Sequence, residues 1–340
     1  MIYNDIKNFN KQFGYEPRIE NAEVLEKLRR SDRKRRRSES RRQWPSGFVV
    51  AGMGGSHLAA DILKIWKPDL DLVIWNNYGL PPLKDLKERL IIASSYSGNT
   101  EEAIDVFEEA KKRKLNVAAV GAGGKLITLA HIIKVPHVVI PSAHVQPRMA
   151  LGYSFKAILA LMGEKKALVE ASKLSFDLHP SRFELAGRKL AKKLKGSVPV
   201  IYSSQRNYAV VYNWKVKLNE TGKIPAFWNV LPELNHNEMT GFSAGGGKAR
   251  TKSLSSKFRF IFLKDSEDEP RIVKRMRILE KLLADRGFRI ETALLRGKTR
   301  LIKIFSSLVL ADWTAYYTAK QYGVEPEEVP IVEEFKKLIA

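Results

Sequence analysis

Cysteine is absent from all 340 residues, which removes disulfides, thiolate metal sites and cysteine nucleophiles together. The absence fits a reducing compartment without requiring one. Also missing is any uninterrupted apolar run of the ~18 residues that a membrane span demands. The opening Met1-Ile2-Tyr3-Asn4-Asp5-Ile6-Lys7 has no apolar core of the kind a secretory signal carries. The expectation is therefore a cytoplasmic protein. Histidine is scarce, with six residues, and His57, His131, His137, His144 and His179 show no metal-ligand spacing along the chain. No metal site and no cofactor is read from the sequence.

Acidic residues are in deficit, 37 against 59 Lys plus Arg, leaving a net charge of +22. Such a balance raises nucleic acid as a partner, but its distribution argues against one. Nine basic residues against two acidic ones fall between Arg29 and Arg42, with no aromatic residue among them to stack on a base. The remainder is spread thinly, as in Lys111-Lys112-Arg113-Lys114. The Arg/Ser-rich stretch 29–46 and the Gly-rich Ala244–Arg250 are read as surface loops or extensions.

Hydrophobic residues at 44% and charged residues at 28% are ordinary for a globular protein, and the length suggests two domains. Strands are expected at Phe48–Ala51, Leu70–Asn76, Leu90–Ser95, Val117–Val120 and Ile132–Val135. Helices are expected from Leu58, at Glu101–Lys114, at Lys125–His131 and at Ala150–Leu161. A second series follows: strands at Ser197–Ser204, Phe258–Leu263 and Phe288–Leu295, with helices at Asn207–Leu218, Arg271–Ala284, Leu301–Tyr322 and Val329–Ile339. Alternating strands and helices argue for parallel sheets covered on both faces. The expected organisation is an N-terminal helical, basic extension (1–46), a first α/β domain (47–165) and a second (174–340).

Two motifs stand at strand ends. The first is Gly52-Met53-Gly54-Gly55-Ser56, whose glycines allow a tight turn and bring backbone N–H groups toward an anion at a helix start. It lacks the Lys of a Walker loop and the full dinucleotide fingerprint, and on its own it could equally be a turn that binds nothing. The second is Ser94-Ser95-Tyr96-Ser97-Gly98-Asn99-Thr100-Glu101-Glu102. Ser95, Ser97 and Thr100 place three hydroxyls beside the free amides of a helix start, more than one N-cap needs, and that suits a phosphate dianion.

Gly-x-Gly-Gly-Ser followed about forty residues later by Ser-Tyr-Ser-Gly-Asn-Thr-Glu-Glu resembles the sugar-phosphate site of sugar isomerase (SIS) domains. The resemblance implies two flavodoxin-like αβα layers with parallel sheets plus C-terminal helices. It also implies substrate binding by Gly54, Gly55, Ser56, Ser95, Ser97 and Thr100. SIS domains serve enzymes and regulators alike, so fold alone does not assign chemistry.

Further along, Asn219-Glu220-Thr221-Gly222-Lys223, Asn235-His236-Asn237-Glu238 and the C-terminal Glu333-Glu334-Phe335-Lys336 are similar to segments of the bifunctional phosphoglucose/phosphomannose isomerases. Pro147-Arg148 falls within the same resemblance. That likeness implies an aldose–ketose isomerase acting through a cis-enediol, in a homodimer whose active sites are shared between chains. Such chemistry needs ring opening, one base that moves a proton between C2 and C1, and stabilisation of the developing oxyanion. A carboxylate suits the shuttle, which falls to Glu220. His236 and Lys336 take ring opening, with Lys337 a competitor for the lysine, and Arg148 stabilises the enediolate or positions the sugar. Glu220-Thr221-Gly222-Lys223 and Glu325-Pro326-Glu327-Glu328 depart from the family's common patterns, which leaves the glucose-versus-mannose preference open. The alternative is a non-catalytic SIS-domain sensor of sugar phosphates.

Overall fold

The computed structural model describes residues 2–36, 45–141, 145–243 and 255–339. The chain divides into two compact units, one spanning Asn10–Asp177 and the other combining Met1–Phe9 with Leu178–Ala340. Chain order begins with α1 (Ile2–Lys7), a short helix of the second unit.

The first unit runs α2 (Ala22–Arg36), β1 (Gly47–Ala51), α3 (Gly55–Trp66), β2 (Leu72–Trp75), β3 (Arg89–Ser94), α4 (Glu101–Lys112), β4 (Val117–Gly121), α5 (Gly124–Ile132), β5 (His137–Val139), α6 (Leu151–Met162), α7 (Lys165–Ser172) and α8 (Leu174–Asp177). Its five strands lie in the order β2-β1-β3-β4-β5, all parallel. Strands β1, β3 and β4 are buried along their whole length. This is why they read as continuous apolar runs rather than as alternations. Helix α3 lies against α6, whereas α4 lies against α5. Val49, Ile91, Ile104, Phe107, Val117 and Leu126 belong to one core cluster. Truncating a fully buried aliphatic such as Ile91 to alanine costs about 2–5 kcal/mol. The strand order reverses between β1 and β3, and the carboxyl ends at such a switch point are where open α/β sheets form a ligand crevice.

The second unit adds α9 (Glu184–Leu194), β6 (Val198–Ser204), α10 (Tyr208–Glu220), β7 (Phe227–Leu231), β8 (Phe258–Lys264), α11 (Pro270–Asp285), β9 (Arg289–Leu294), α12 (Arg300–Tyr322) and α13 (Pro330–Ile339). The sheet order is β7-β6-β8-β9, again parallel. Helix α12 packs on α9 and α10. It is tied to α10 by a Lys217–Asp312 ion pair of 2.6 Å from which water is excluded. The two parallel sheets with covering helices match the expected α/β architecture.

Several elements depart from expectation. The apolar Ile132-Ile133 is not a strand: α5 runs to Ile132, and Lys134 turns into the left-handed region at φ 51°. The strand that follows is His137–Val139. Edge strand β7 and helices α7 and α9 were not expected at all. Of the basic stretch, Arg29–Arg36 continues α2 rather than forming a loop, and Arg29 donates to the Leu161 carbonyl at 3.2 Å. Residues 37–42 of that stretch, and Ala244–Arg250, lie outside the described residues. Among the described residues no helix is long and apolar enough to cross a membrane.

Candidate active site

In the first unit the two motifs leave the adjacent strands β1 and β3. Gly54 takes φ 49° with open space beside it, and a Cβ on Gly55 would stand 2.7 Å from the Arg148 amide nitrogen. A side chain at Gly55 would thus push the Pro147–Met149 turn off the start of α3. Ser56 accepts from the Tyr96 amide at 2.9 Å, and Ser94 donates to the Ser56 carbonyl at 3.0 Å. These bonds stitch the glycine turn to the hydroxyl loop. Asn99 accepts from the Lys125 amide at 3.0 Å and fastens the same loop to α5.

The three hydroxyls do not play one role. Ser95 is fully buried, and its oxygen accepts from the Gly98 and Thr100 amides at 3.0 and 3.3 Å. With both lone pairs engaged, it gives its own proton to the Thr100 oxygen, 2.7 Å away. That relay leaves the Thr100 proton to be donated elsewhere. Thr100 is the N-cap of α4, yet its side chain makes no capping bond. Ser97 is exposed and accepts from the Asn99 amide at 3.2 Å. Arg148 is 1% exposed and reaches the Gln146 side chain at 3.4 Å. Gly54, Gly55 and Ser56 thus lie beside Ser95, Ser97 and Thr100 in two turns held together at the carboxyl ends of β1 and β3, with the Arg148 backbone packed on Gly55.

Glu220, His236 and Lys336 belong to the second unit. Glu220 is the last residue of α10 and is half-buried. Lys223, at φ 55°, donates its ammonium to the carbonyls of both Glu220 and Glu328. His236 ends the exposed turn Glu233–His236 that follows β7. Glu238 anchors this turn, accepting from the Tyr202 hydroxyl at 2.6 Å and from the Asn229 side chain. Burial, then the bond to Glu238, pushes the Tyr202 phenol well above its ordinary value, so it remains a donor. Lys336 lies on α13, exposed and paired with Glu333 at 2.9 Å.

The topology separates two of these residues. Helix α10 descends from the carboxyl end of β6 to the amino end of the parallel β7, leaving Glu220 there. His236 follows the carboxyl end of the same strand. The five-residue strand between the loops that carry them spans roughly 13 Å. Lys223, Tyr202 and Glu238 were not singled out from the sequence. Glu238 and Lys223 did carry a signal, as the residues closing Asn235–Glu238 and Asn219–Lys223.

A family model described as the bacterial phospho-glucose isomerase C-terminal SIS domain matches residues 184–339. A bifunctional phosphoglucose/phosphomannose isomerase of Aquifex aeolicus is 31% identical over 86% of this chain and 89% of its own length. One from Caldicellulosiruptor bescii is 33% identical, with the same shares covered. Among solved structures, the C-terminal domain of glucosamine-fructose-6-phosphate aminotransferase from Francisella tularensis superposes with a TM-score of 0.63. It covers 96% of each chain at 11% identity, a likeness of fold alone. With relatives of this identity and coverage, the chain belongs to the bifunctional phosphoglucose/phosphomannose isomerase family.

Proposed function

We propose that the protein is an aldose–ketose isomerase interconverting fructose 6-phosphate with glucose 6-phosphate, with mannose 6-phosphate as a second aldose. The observation that carries this reading is the pair of turns leaving β1 and β3, where the hydroxyls of Ser97 and Thr100 at the start of α4 suit a phosphate dianion. A net charge of +22 favours encounter with such an anion. Lys336 and His236 open the ring by moving a proton between the ring oxygen and the anomeric hydroxyl. Glu220 then takes the proton from C2 and returns it to C1, while Arg148 offsets negative charge on the enediolate oxygen. The cysteine-free composition supports a cytoplasmic setting.

The separation of Glu220 and His236 along β7 supports a two-fold dimer in which each site receives His236 from the partner. Helix α13 supports it as well, since Ile331, Phe335 and Leu338 are 77%, 60% and 79% exposed. A ten-residue helix with a bare apolar face is marginal alone in water. The direct test is a coupled assay of fructose 6-phosphate against both aldose phosphates in deuterated water. The expected result is turnover with deuterium entering at C2 of the aldose. Tight binding of the sugar phosphate without turnover would instead identify a sensor.

A further inference from the structure

Three residues widely separated in sequence meet at the β5 edge of the first unit. His137 opens β5 and His131 lies in the last turn of α5. Glu20 reaches them from the segment before α2 through an isolated antiparallel bridge to His137. In it, the Glu20 amide donates to the His137 carbonyl at 2.9 Å and the His137 amide donates back at 3.1 Å. Directly paired residues of an antiparallel bridge project to one side, so this backbone lock aims the Glu20 carboxylate at the imidazole.

The side-chain geometry is that of a ligand set. Glu20 Oε2 stands 3.0 Å from His137 Nε2 and 3.6 Å from His131 Nδ1. The three donor atoms all lie within 4.8 Å of one another. In a tetrahedral shell with bonds of ~2 Å, neighbouring donors stand about 3.3 Å apart, between the two separations seen here. His137 Nδ1 lies 2.9 Å from the Val135 carbonyl, which can only accept, so Nδ1 carries a proton, and in the neutral ring the lone pair is then on Nε2. A metal-ligating histidine is held in this way, with its distal N–H given to a backbone carbonyl. The same carbonyl also receives the Asn21 amide at 3.1 Å, which fixes it further. As a neutral ring, His137 turns its lone pair toward a carboxylate, and a cation between them satisfies both. The His137 ring is 1% exposed while His131 and Glu20 are 74% and 50% exposed, so one side remains open to water and to an entering ion. The carboxyl end of α5 adds a favourable dipole for positive charge.

We propose that Glu20, His131 and His137 bind a divalent first-row transition ion, with zinc the best match to two imidazoles and one carboxylate and with water in the open position. Calcium and magnesium prefer all-oxygen shells. The ion pins the segment before α2 to the exposed edge of the sheet, a stabilising role separate from the isomerase residues.

The test uses the full-length protein stripped with a chelator and titrated with Zn2+ alone, followed by calorimetry, and with Co2+ alone, followed by visible absorption. One equivalent per chain is expected, with a rise in melting temperature as the ion saturates. His131→Ala and Glu20→Gln alter exposed side chains and should fold normally by circular dichroism. Each should weaken binding about ten-fold or more, and His131→Ala should abolish the cobalt bands. Absence of one-equivalent uptake would overturn the proposal and leave an imidazolium–carboxylate pair in its place. Uptake unaffected by both substitutions but lost in His236→Ala would overturn it too, by placing the ion elsewhere.

Discussion

The two sheets share an arrangement around their points of reversal, β2-β1-β3-β4 in one and β7-β6-β8-β9 in the other, yet what occupies those points is opposite. After β1 and β3 stand glycines and hydroxyls without an ion pair among them. After β8 stand two carboxylates, Asp265 and Glu267, already joined to Arg206 from the end of β6 and to Arg300 and Lys303 from the start of α12. Arg206 meets Asp265 and Glu267 at 3.3 and 2.9 Å, Arg300 meets Asp265 at 2.6 Å, and Lys303 meets Asp265 and Glu267 at 2.9 and 2.7 Å. Asp268 accepts from Ser204 at 2.6 Å and from Asn207 at 3.2 Å. Burial drives Asp265 upward, but bonds from Lys303 and the Glu267 amide, with the charges of Arg300 and Lys303, outweigh it and hold it below the usual carboxylate range. Bonds from Lys303 and Arg206 bring Glu267 to about 2. At these strand ends Asp265 and Glu267 thus supply anions of their own at neutral pH, facing three cations. The strand ends of a parallel sheet are polar and need a counterpart, which the second unit supplies from itself and, on the proposed reading, the first takes from substrate.

On this division of labour, three classes of substitution should separate cleanly. The largest effect belongs to Glu220→Gln, for which kcat falls roughly 10²–10⁴-fold while fructose 6-phosphate binding survives, measured by steady-state kinetics and calorimetry. His236→Ala should be inactive as well. Co-refolding the two inactive variants should restore roughly a quarter of wild-type sites, because half the dimers are mixed and each mixed dimer holds one intact site. Re-formed dimers without activity would place Glu220 and His236 in the same chain's site.

Next comes Asp265→Asn, which leaves three cations facing fewer carboxylates in a buried setting. It should cost about 3–5 kcal/mol of stability by denaturant titration, with kcat/KM per folded chain unchanged. A larger change in substrate affinity than in stability would erase the contrast between the two crevices. The smallest effect is Thr100→Val, which removes one donor to a dianion at nearly constant shape. A bond of about 1.5–3 kcal/mol corresponds to a rise in KM of roughly 10–100-fold, with kcat within a few-fold. An unchanged KM would deny the Thr100 proton its role.

The first crevice was legible in the sequence because its parts are contiguous: Phe48–Ala51 runs straight into the glycines, and Ser95, Ser97 and Thr100 sit within one turn. The second crevice was not, since Arg206, Asp265 and Arg300 lie tens of residues apart and only the sheet order unites them. The same holds for Glu20, His131 and His137, whose spacing carries no ligand pattern. Strand β7 escaped notice because Phe227 is exposed on an edge and Asn229 interrupts its apolar run. Ile132-Ile133 misled in the other direction, as two β-branched residues that end a helix in solvent. The role of Ser95 was invisible for a different reason: a hydroxyl that shapes a loop and one that touches a ligand are the same letter.

The length of β7 has a kinetic corollary. On the proposed assignment, with the proton shuttle and the ring-opening imidazole on loops at its two ends, a lone subunit lacks the partner's His236 and cannot open the ring that the later proton transfer requires. An enediol released before its proton is returned can be reprotonated in solvent at either face of C2 or lose its C3 hydroxyl, and an enzyme dormant until paired never releases that intermediate. On the proposed assembly, specific activity is constant at high protein concentration and falls toward zero on dilution below the dimer dissociation constant. The rate law of this isomerase then contains its own abundance.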